Sequence, residues 1–95
     1  MDTQMHAIHF KADKKLLTFI QERLNKLEQF NDQIVSAEVY LRLDKDREKE
    51  NKITEIKLHV PGKDLFAKKQ CKSFEEATNV AVEALRRQIM KGKSR

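Results

Sequence analysis

Ala37-Glu38-Val39-Tyr40-Leu41-Arg42-Leu43 alternates apolar and polar side chains without a break. Successive strand residues point to opposite faces, so Ala37, Val39, Leu41 and Leu43 share one face and Glu38, Tyr40 and Arg42 the other. The pattern predicts a half-buried strand over Ile34–Asp44, in an antiparallel sheet with one wet face. Thr54, Ile56, Leu58 and Val60 repeat the alternation, with Glu55, Lys57 and His59 opposite. Between these strands, Asp44–Lys52 is a mixed-charge connection without an apolar residue, which reads as an exposed hairpin loop. Pro61-Gly62, completed by Lys63-Asp64, supplies turn chemistry. A last strand follows over Leu65–Lys72, setting Leu65, Ala67, Lys69 and Cys71 against Phe66, Lys68, Gln70 and Lys72. Its alternation is poor, and its inward face is the least defined of the four strands.

Outward from this hairpin array, the flanks read as a strand and two helices. Gln4–Phe10 predicts a strand with His6, Ile8 and Phe10 on one face and Met5, Ala7 and His9 on the other. Asp13 can cap a helix by accepting free amide protons of its first turn. Leu16, Leu17, Ile20, Leu24 and Leu27 then recur at helical spacing as one stripe. Phe19, Arg23, Lys26 and Phe30 form a neighbouring ridge. Cations interleaved with aromatics suit RNA; they also suit a core edge closed by the rings while the cations snorkel, and the pattern by itself favours the second reading. Asn31-Asp32 ends this helix. Ser73-Phe74-Glu75-Glu76 has the form of a capping box, and Phe74, Ala77, Ala81, Ala84, Leu85 and Ile89 share the face of the helix it opens. Asn79, Glu83, Arg86 and Arg87 fall on the wet face, where Glu83 and Arg87 are spaced for an i,i+4 pair. The order is strand, helix, three strands, helix. It predicts an α+β domain over residues 1–95, a four-stranded sheet with both helices on its one apolar face.

The charge is placed at one end. Of 20 Lys and Arg residues, five lie in residues 86–95, which hold no acid; the other fifteen are balanced by all 15 Asp and Glu, so the whole net charge of +5 belongs to those ten residues. Such a run points to a polyanion, RNA first, and equally suits a solvated helix end complementing the helix dipole. The stretch 91–95 reads as a basic, flexible end. Charged residues at 37% against 39% hydrophobic still permit one folded core, because the apolar residues are patterned. The chain opens without a charged-then-apolar leader and has no apolar run near the ~20 residues that span a bilayer, so a soluble cytoplasmic protein without a membrane partner is expected. The single cysteine cannot form an internal disulfide. Both glycines sit outside any phosphate loop, and His6, His9, His59 and Cys71 lack tight ligand spacing. No enzyme activity, metal or cofactor is expected.

Two stretches carry a family resemblance. Arg23-Leu24-Asn25-Lys26-Leu27-Glu28-Gln29-Phe30 resembles the close of the first helix in the ribosome hibernation-promoting factor family, also called ribosome-associated inhibitor A or sigma-54 modulation protein. Leu85-Arg86-Arg87-Gln88-Ile89-Met90-Lys91-Gly92-Lys93 resembles the close of that family's last helix. The resemblance covers essentially the entire chain and implies a fold similar to double-stranded-RNA-binding domains with an added first strand. It implies binding to the small ribosomal subunit and its ribosomal RNA, in the channel of messenger RNA and tRNA anticodon ends, with translation blocked in idle ribosomes. Arg23, Lys26, Arg87, Gln88, Lys91 and Lys93 would touch RNA on this resemblance. Lys68, Lys69, Arg86 and Arg95 join them from the charge argument alone. Ala12-Asp13-Lys14 and Ser73-Phe74-Glu75 depart from the Thr-Pro and Asp-Met-Tyr helix starts common in the family, while keeping a cap. The length resembles the family's short form, expected to be a monomer off the ribosome, with no DNA partner. The alternative is a general structured-RNA-binding module without ribosome specificity.

Overall fold

A computed structural model describes residues 1–93, with side chains through Gly92. The elements in chain order are β1 (Asp2–Ala7), α1 (Lys14–Leu27), β2 (Ser36–Leu43), β3 (Lys52–Val60), β4 (Lys63–Cys71) and α2 (Phe74–Lys93). The strands form one sheet in the order β1-β2-β3-β4. β1 runs parallel to β2, from Asp2 opposite Ser36 to Ala7 opposite Leu41. Parallel neighbours need a crossover, and α1 is that crossover. The two later pairings are antiparallel hairpins. The α+β architecture agrees with the sequence reading.

The alternating residues of the middle strands face the core as expected. Ala37, Val39, Leu41, Ile56, Leu58 and Val60 are buried with Leu65 and Ala67 of β4. Leu43 is the exception, exposed at the end of β2. From α1, Leu16, Ile20, Leu24 and Leu27 close over this face, while Leu17 stays half-buried at the stripe's edge. From α2, Phe74, Ala77, Ala81, Leu85 and Ile89 do so. The two alanines lack bulk, which lets the α2 backbone lie close to the sheet. Thr78, outside the expected apolar face, is also fully buried, and its hydroxyl lies 3.4 Å from that of buried Thr54 on β3. One hydroxyl donates and the other accepts, which pairs the two where water cannot reach.

Strand boundaries depart from the sequence reading for local reasons. β1 begins earlier and ends before Ile8, rather than spanning Gln4–Phe10. Ile8 still donates to the Leu41 carbonyl at 2.9 Å, but His9 adopts φ +63°, a left-handed conformation that turns the chain out of the sheet. Phe10 is thereby carried onto Phe74, ring centroids 5.1 Å apart and nearly coplanar in orientation at 7°. β2 covers Ser36–Leu43 within the wider expected span. β4 starts at Lys63, so Lys63 and Asp64 belong to the strand and not to the turn. Val60 pairs with Lys63 around a two-residue connection. Pro61 brings its fixed φ and Gly62 a φ of +87°, the combination a type II turn requires. At the other end of β3, Gln70 of β4 donates to Asp44 Oδ2 and to the Glu50 carbonyl, both at 2.9 Å, and pins the charged loop.

Both helix caps form. Asp13 accepts the Leu16 amide at 2.8 Å, and Ser73 Oγ accepts that of Glu76 at 3.1 Å. Phe10 precedes α1 and stacks on the first residue of α2, while Phe30, just past α1, lies under Arg86 in the second half of α2. The helices therefore run side by side in the same direction, with their C-terminal ends together.

The buried threonine pair gives a test of this packing. Thr54→Val or Thr78→Val alone leaves one buried hydroxyl without its partner and is expected to cost about 1–3 kcal/mol. The double substitution should recover much of that loss, which urea unfolding of the four variants measures. Strictly additive losses would show that the two hydroxyls do not depend on each other.

Candidate nucleic-acid interface

The sheet's two faces differ in how their cations are held. On the open face, away from the helices, charge is paired with charge, Lys57 apart. Arg42 Nε donates to Glu55 Oε1 at 2.9 Å and its guanidinium lies 5.6 Å from the Tyr40 ring centroid. Lys68 projects from this face too, with its Nζ 4.0 Å from the same Glu55 oxygen. His59 spans three strands, with Nε2 2.6 Å from Glu38 Oε2 of β2 and Nδ1 2.8 Å from Asp64 Oδ1 of β4. Two carboxylates can be satisfied together only when both ring nitrogens carry protons. The Glu38 contact first, then Asp64, holds the His59 pKa above its ordinary value near 6.5. Glu38 in turn is held below its ordinary value near 4.5 by His59 and by the Tyr40 hydroxyl, which donates to it at 3.0 Å.

The helical side is arranged differently. Arg23, near the middle of α1, lays its guanidinium 4.7 Å from the Phe19 ring centroid, and its Nε is buried without a hydrogen-bond partner among the described residues. The ring fixes the plane of the guanidinium while leaving its outer donors available. Lys26 stands exposed on the last turn of α1. On α2, Arg86 is the residue paired with Glu83: Nε donates to Oε2 at 3.0 Å and Nη2 to Oε1, a bidentate i,i+3 contact. The expected i,i+4 partner, Arg87, is exposed, and no carboxylate lies within ion-pair distance of it among the described residues. Arg86, which takes the pair, also lies over Phe30, 5.9 Å from that ring's centroid. It is half-buried rather than on the wet face, and the pair lowers the pKa of Glu83. Arg86 thus spends its charge inside the molecule and ties α2 to the end of α1.

The remaining residues expected to touch RNA divide in the same way. Gln88 donates from Nε2 to the Phe66 carbonyl at 2.9 Å, which anchors α2 to β4. Lys69 is half-buried on the inward row of β4, opposite Thr54. Lys91 is exposed in the last turns of α2, beside a cleft of about 350 Å³ that Lys63 of β4 also lines. Lys93 closes α2, so 91–93 are helical; its side chain, and Arg95, lie outside the described residues. The helical ridge therefore carries Arg23 and Lys26 from α1 and Arg87 and Lys91 from α2, with Arg86 tied to Glu83 and Gln88 to β4. It does not bring in Lys68. Lys63 went unread in the sequence because a residue after Pro-Gly reads as part of the connection; only the pairing of Val60 with Lys63 places it at the mouth of the cleft.

Among the described residues, no group of three or more His, Cys, Asp or Glu side chains could hold a metal ion. Burial, with Glu76 and Glu50 nearby, raises the pKa of the half-buried Cys71 thiol, the opposite of what a nucleophile needs. No helix of the described residues is long and apolar enough to cross a membrane.

Comparison with known proteins places the chain in a family. The family described as "Sigma 54 modulation protein / S30EA ribosomal protein" matches residues 3–95. The ribosome hibernation promotion factor of Deinococcus radiodurans is 28% identical over 94 residues, covering 97% of this chain and 49% of that protein. The chain thus spans about half the length of that curated relative. Among solved structures, a ribosomal subunit interface protein from Coxiella burnetii superposes with a TM-score of 0.89 at 18% identity, over 100% of both chains. The N-terminal domain of Thermus thermophilus Protein Y gives 0.82 at 18% identity, over 96% of this chain and 98% of that one. At that identity the two structures establish the fold.

The open face yields a pH prediction. His59 has a raised folded pKa, so its contribution is fully present below its unfolded value near 6.5 and is lost as pH rises through the folded value. Glu38, with a lowered pKa, contributes above about 4.5 and loses that contribution as pH falls through its folded value. The urea midpoint should therefore decline as pH rises from 6 through the neutral range. His59→Gln should remove that decline, and an unchanged decline in the variant would assign it to other groups.

Proposed function

The chain belongs to the sigma 54 modulation protein / S30EA ribosomal protein family, and from that premise we propose that it binds the small ribosomal subunit in the channel of messenger RNA and tRNA anticodon ends, holding idle ribosomes inactive. The observation that carries the reading is the ridge of Arg23, Lys26, Arg87 and Lys91 on two helices whose C-terminal ends lie together. A ridge on two rigid helices presents its cations at fixed spacing, which suits recognition of folded RNA by shape and phosphates rather than by base edges. The relative named a ribosome hibernation promotion factor supports the same role.

Each side chain has a part in this mechanism. Arg23, stacked on Phe19, offers a flat and oriented guanidinium. Arg87, spared by the Glu83–Arg86 pair, offers a fork that can grip one phosphate through two donors. Lys26 and Lys91 act as point charges, and contacts of this kind release counterions from the RNA. Arg86 and Glu83 keep α2 in register with α1. The role is occupancy without turnover: the bound protein denies the channel to messenger RNA and tRNA, and no bond is made or broken. In this reading the protein is cytoplasmic and monomeric until it meets the ribosome.

Co-sedimentation with purified small subunits and vacant ribosomes at several salt concentrations tests the proposal, alongside inhibition of cell-free translation. Wild-type protein should pellet with small subunits at low salt. Arg87→Lys keeps the charge but loses the fork, and should weaken affinity by about 1 kcal/mol, roughly fivefold, with the salt dependence nearly unchanged. Protein left in the supernatant at low salt would refute ribosome binding. Equal affinity for any A-form RNA duplex would reduce the activity to general structured-RNA binding.

A further inference from the structure

One basic feature lies beside the helical ridge and shares Lys91 and Gln88 with it. The cleft of about 350 Å³ between the β3–β4 turn and the last turns of α2 is lined by Lys63, Leu65, Gln88, Lys91 and Gly92. An adjoining hollow of about 190 Å³ continues it to Asn31 and Gln33 just past α1. Its floor is apolar, with Leu65 and Ile89 buried. Among the described residues, its charged and polar lining consists of lysine ammonium groups and side-chain amides, without a carboxylate. Such a lining is rich in donors.

Lys63 is the residue that makes this more than a groove. Its ammonium reaches from the strand toward the helix, because a Cβ built on Gly92 would lie 3.9 Å from Lys63 Nζ. The acid next to it in sequence is committed elsewhere: Asp64 points to the opposite face of β4, where it meets His59. No ion pair holds Lys63 among the described residues. Gly92, next to last in α2, places no side chain at the mouth. Gln88 is held at the wall by its bond to the Phe66 carbonyl instead of lying across the opening. The C-terminal end of a helix carries partial negative charge, so an anion here depends on the lysines and not on the α2 dipole.

We propose that this cleft seats a phosphate of the RNA backbone, with Lys63 as its cation, making the β3–β4 turn a third arm of the interface beside the two helices. The inference rests on the ribosome reading above and extends it to a strand residue. Asn31 and Gln33 border the same concavity, so the RNA backbone runs from the end of α1, across the cleft, to the end of α2.

The test is the salt dependence of binding to purified small subunits, with folding of every variant checked by thermal melts. Lys63→Gln should flatten the slope of log K against log salt by about 0.7–0.9, the value of one phosphate contact, and weaken binding several-fold at moderate salt. Lys63→Arg should behave like wild type. Gly92→Leu removes no charge but fills the mouth, and should flatten the slope to the same degree. Lys49→Gln, in the loop at the far end of β3, should change the slope little. Equal effects of Lys63→Gln and Lys49→Gln, or a wild-type slope in Gly92→Leu, would overturn the proposal while leaving ribosome binding intact. Wild-type protein that fails to bind subunits would instead overturn the ribosome reading and this inference with it. Inorganic phosphate provides the other arm. A Gly92 amide signal that saturates at millimolar phosphate, with subunit binding unmoved by the Lys63 and Gly92 substitutions, would mark a free-anion site and refute an RNA phosphate.

Discussion

A four-stranded sheet with only one apolar face leaves its two helices no choice of side. Glu38, Tyr40, Arg42, Glu55, Lys57 and His59 keep the other face in water, so α1 and α2 must share the face that carries Val39, Leu41, Ile56 and Leu58. The parallel placement of β1 beside β2 then fixes the direction of α1. Two aromatic contacts hold the helices alongside each other, Phe10 on Phe74 at the start and Arg86 over Phe30 toward the end. The consequence is electrostatic. Basic residues at the close of each helix, more than fifty positions apart in the chain, arrive at one end of the molecule.

Pairing sharpens this asymmetry. The open face consumes its own charges, Arg42 and Lys68 on Glu55 and His59 between Glu38 and Asp64. These exposed pairs add little stability each, but they leave that face near local neutrality. On the helical side the Glu83–Arg86 pair serves structure, and Arg23, Lys26 and Arg87 stand in no ion pair among the described residues. The separation also explains how Asp64 can sit beside Lys63 in sequence without neutralising it, since neighbouring strand residues project to opposite faces.

Much of this was legible in the sequence. Strict alternation over Ala37–Leu43 and Thr54–Val60 gave the inward faces, because a period of two has one solution when one face is apolar. Asp13 and Ser73 announced both helix starts, since each can satisfy amides that nothing else reaches. What escaped was set by contacts remote in sequence. The end of β1 depends on His9 turning to φ +63° so that Phe10 can meet Phe74, and a residue 64 positions away cannot be read from local alternation. Arg86, the partner of Glu83 in place of Arg87, also contacts Phe30, which lies past the end of α1. Thr78 looked like a helix-surface residue until Thr54 supplied its partner. Lys68 counted toward the basic surface by charge, although the strand turns it to the face away from the helices.

The central claim is that the helical side, and not the open sheet face, meets the RNA. Lysine footprinting by mass spectrometry tests it directly, comparing acetylation rates of the free protein with those of the protein bound to small subunits. The account predicts that Lys26 and Lys91 become strongly protected while Lys57 and Lys68 on the open face react as before. Protection of Lys57 and Lys68 with Lys26 and Lys91 unchanged would contradict it, and would make the sheet the face that binds.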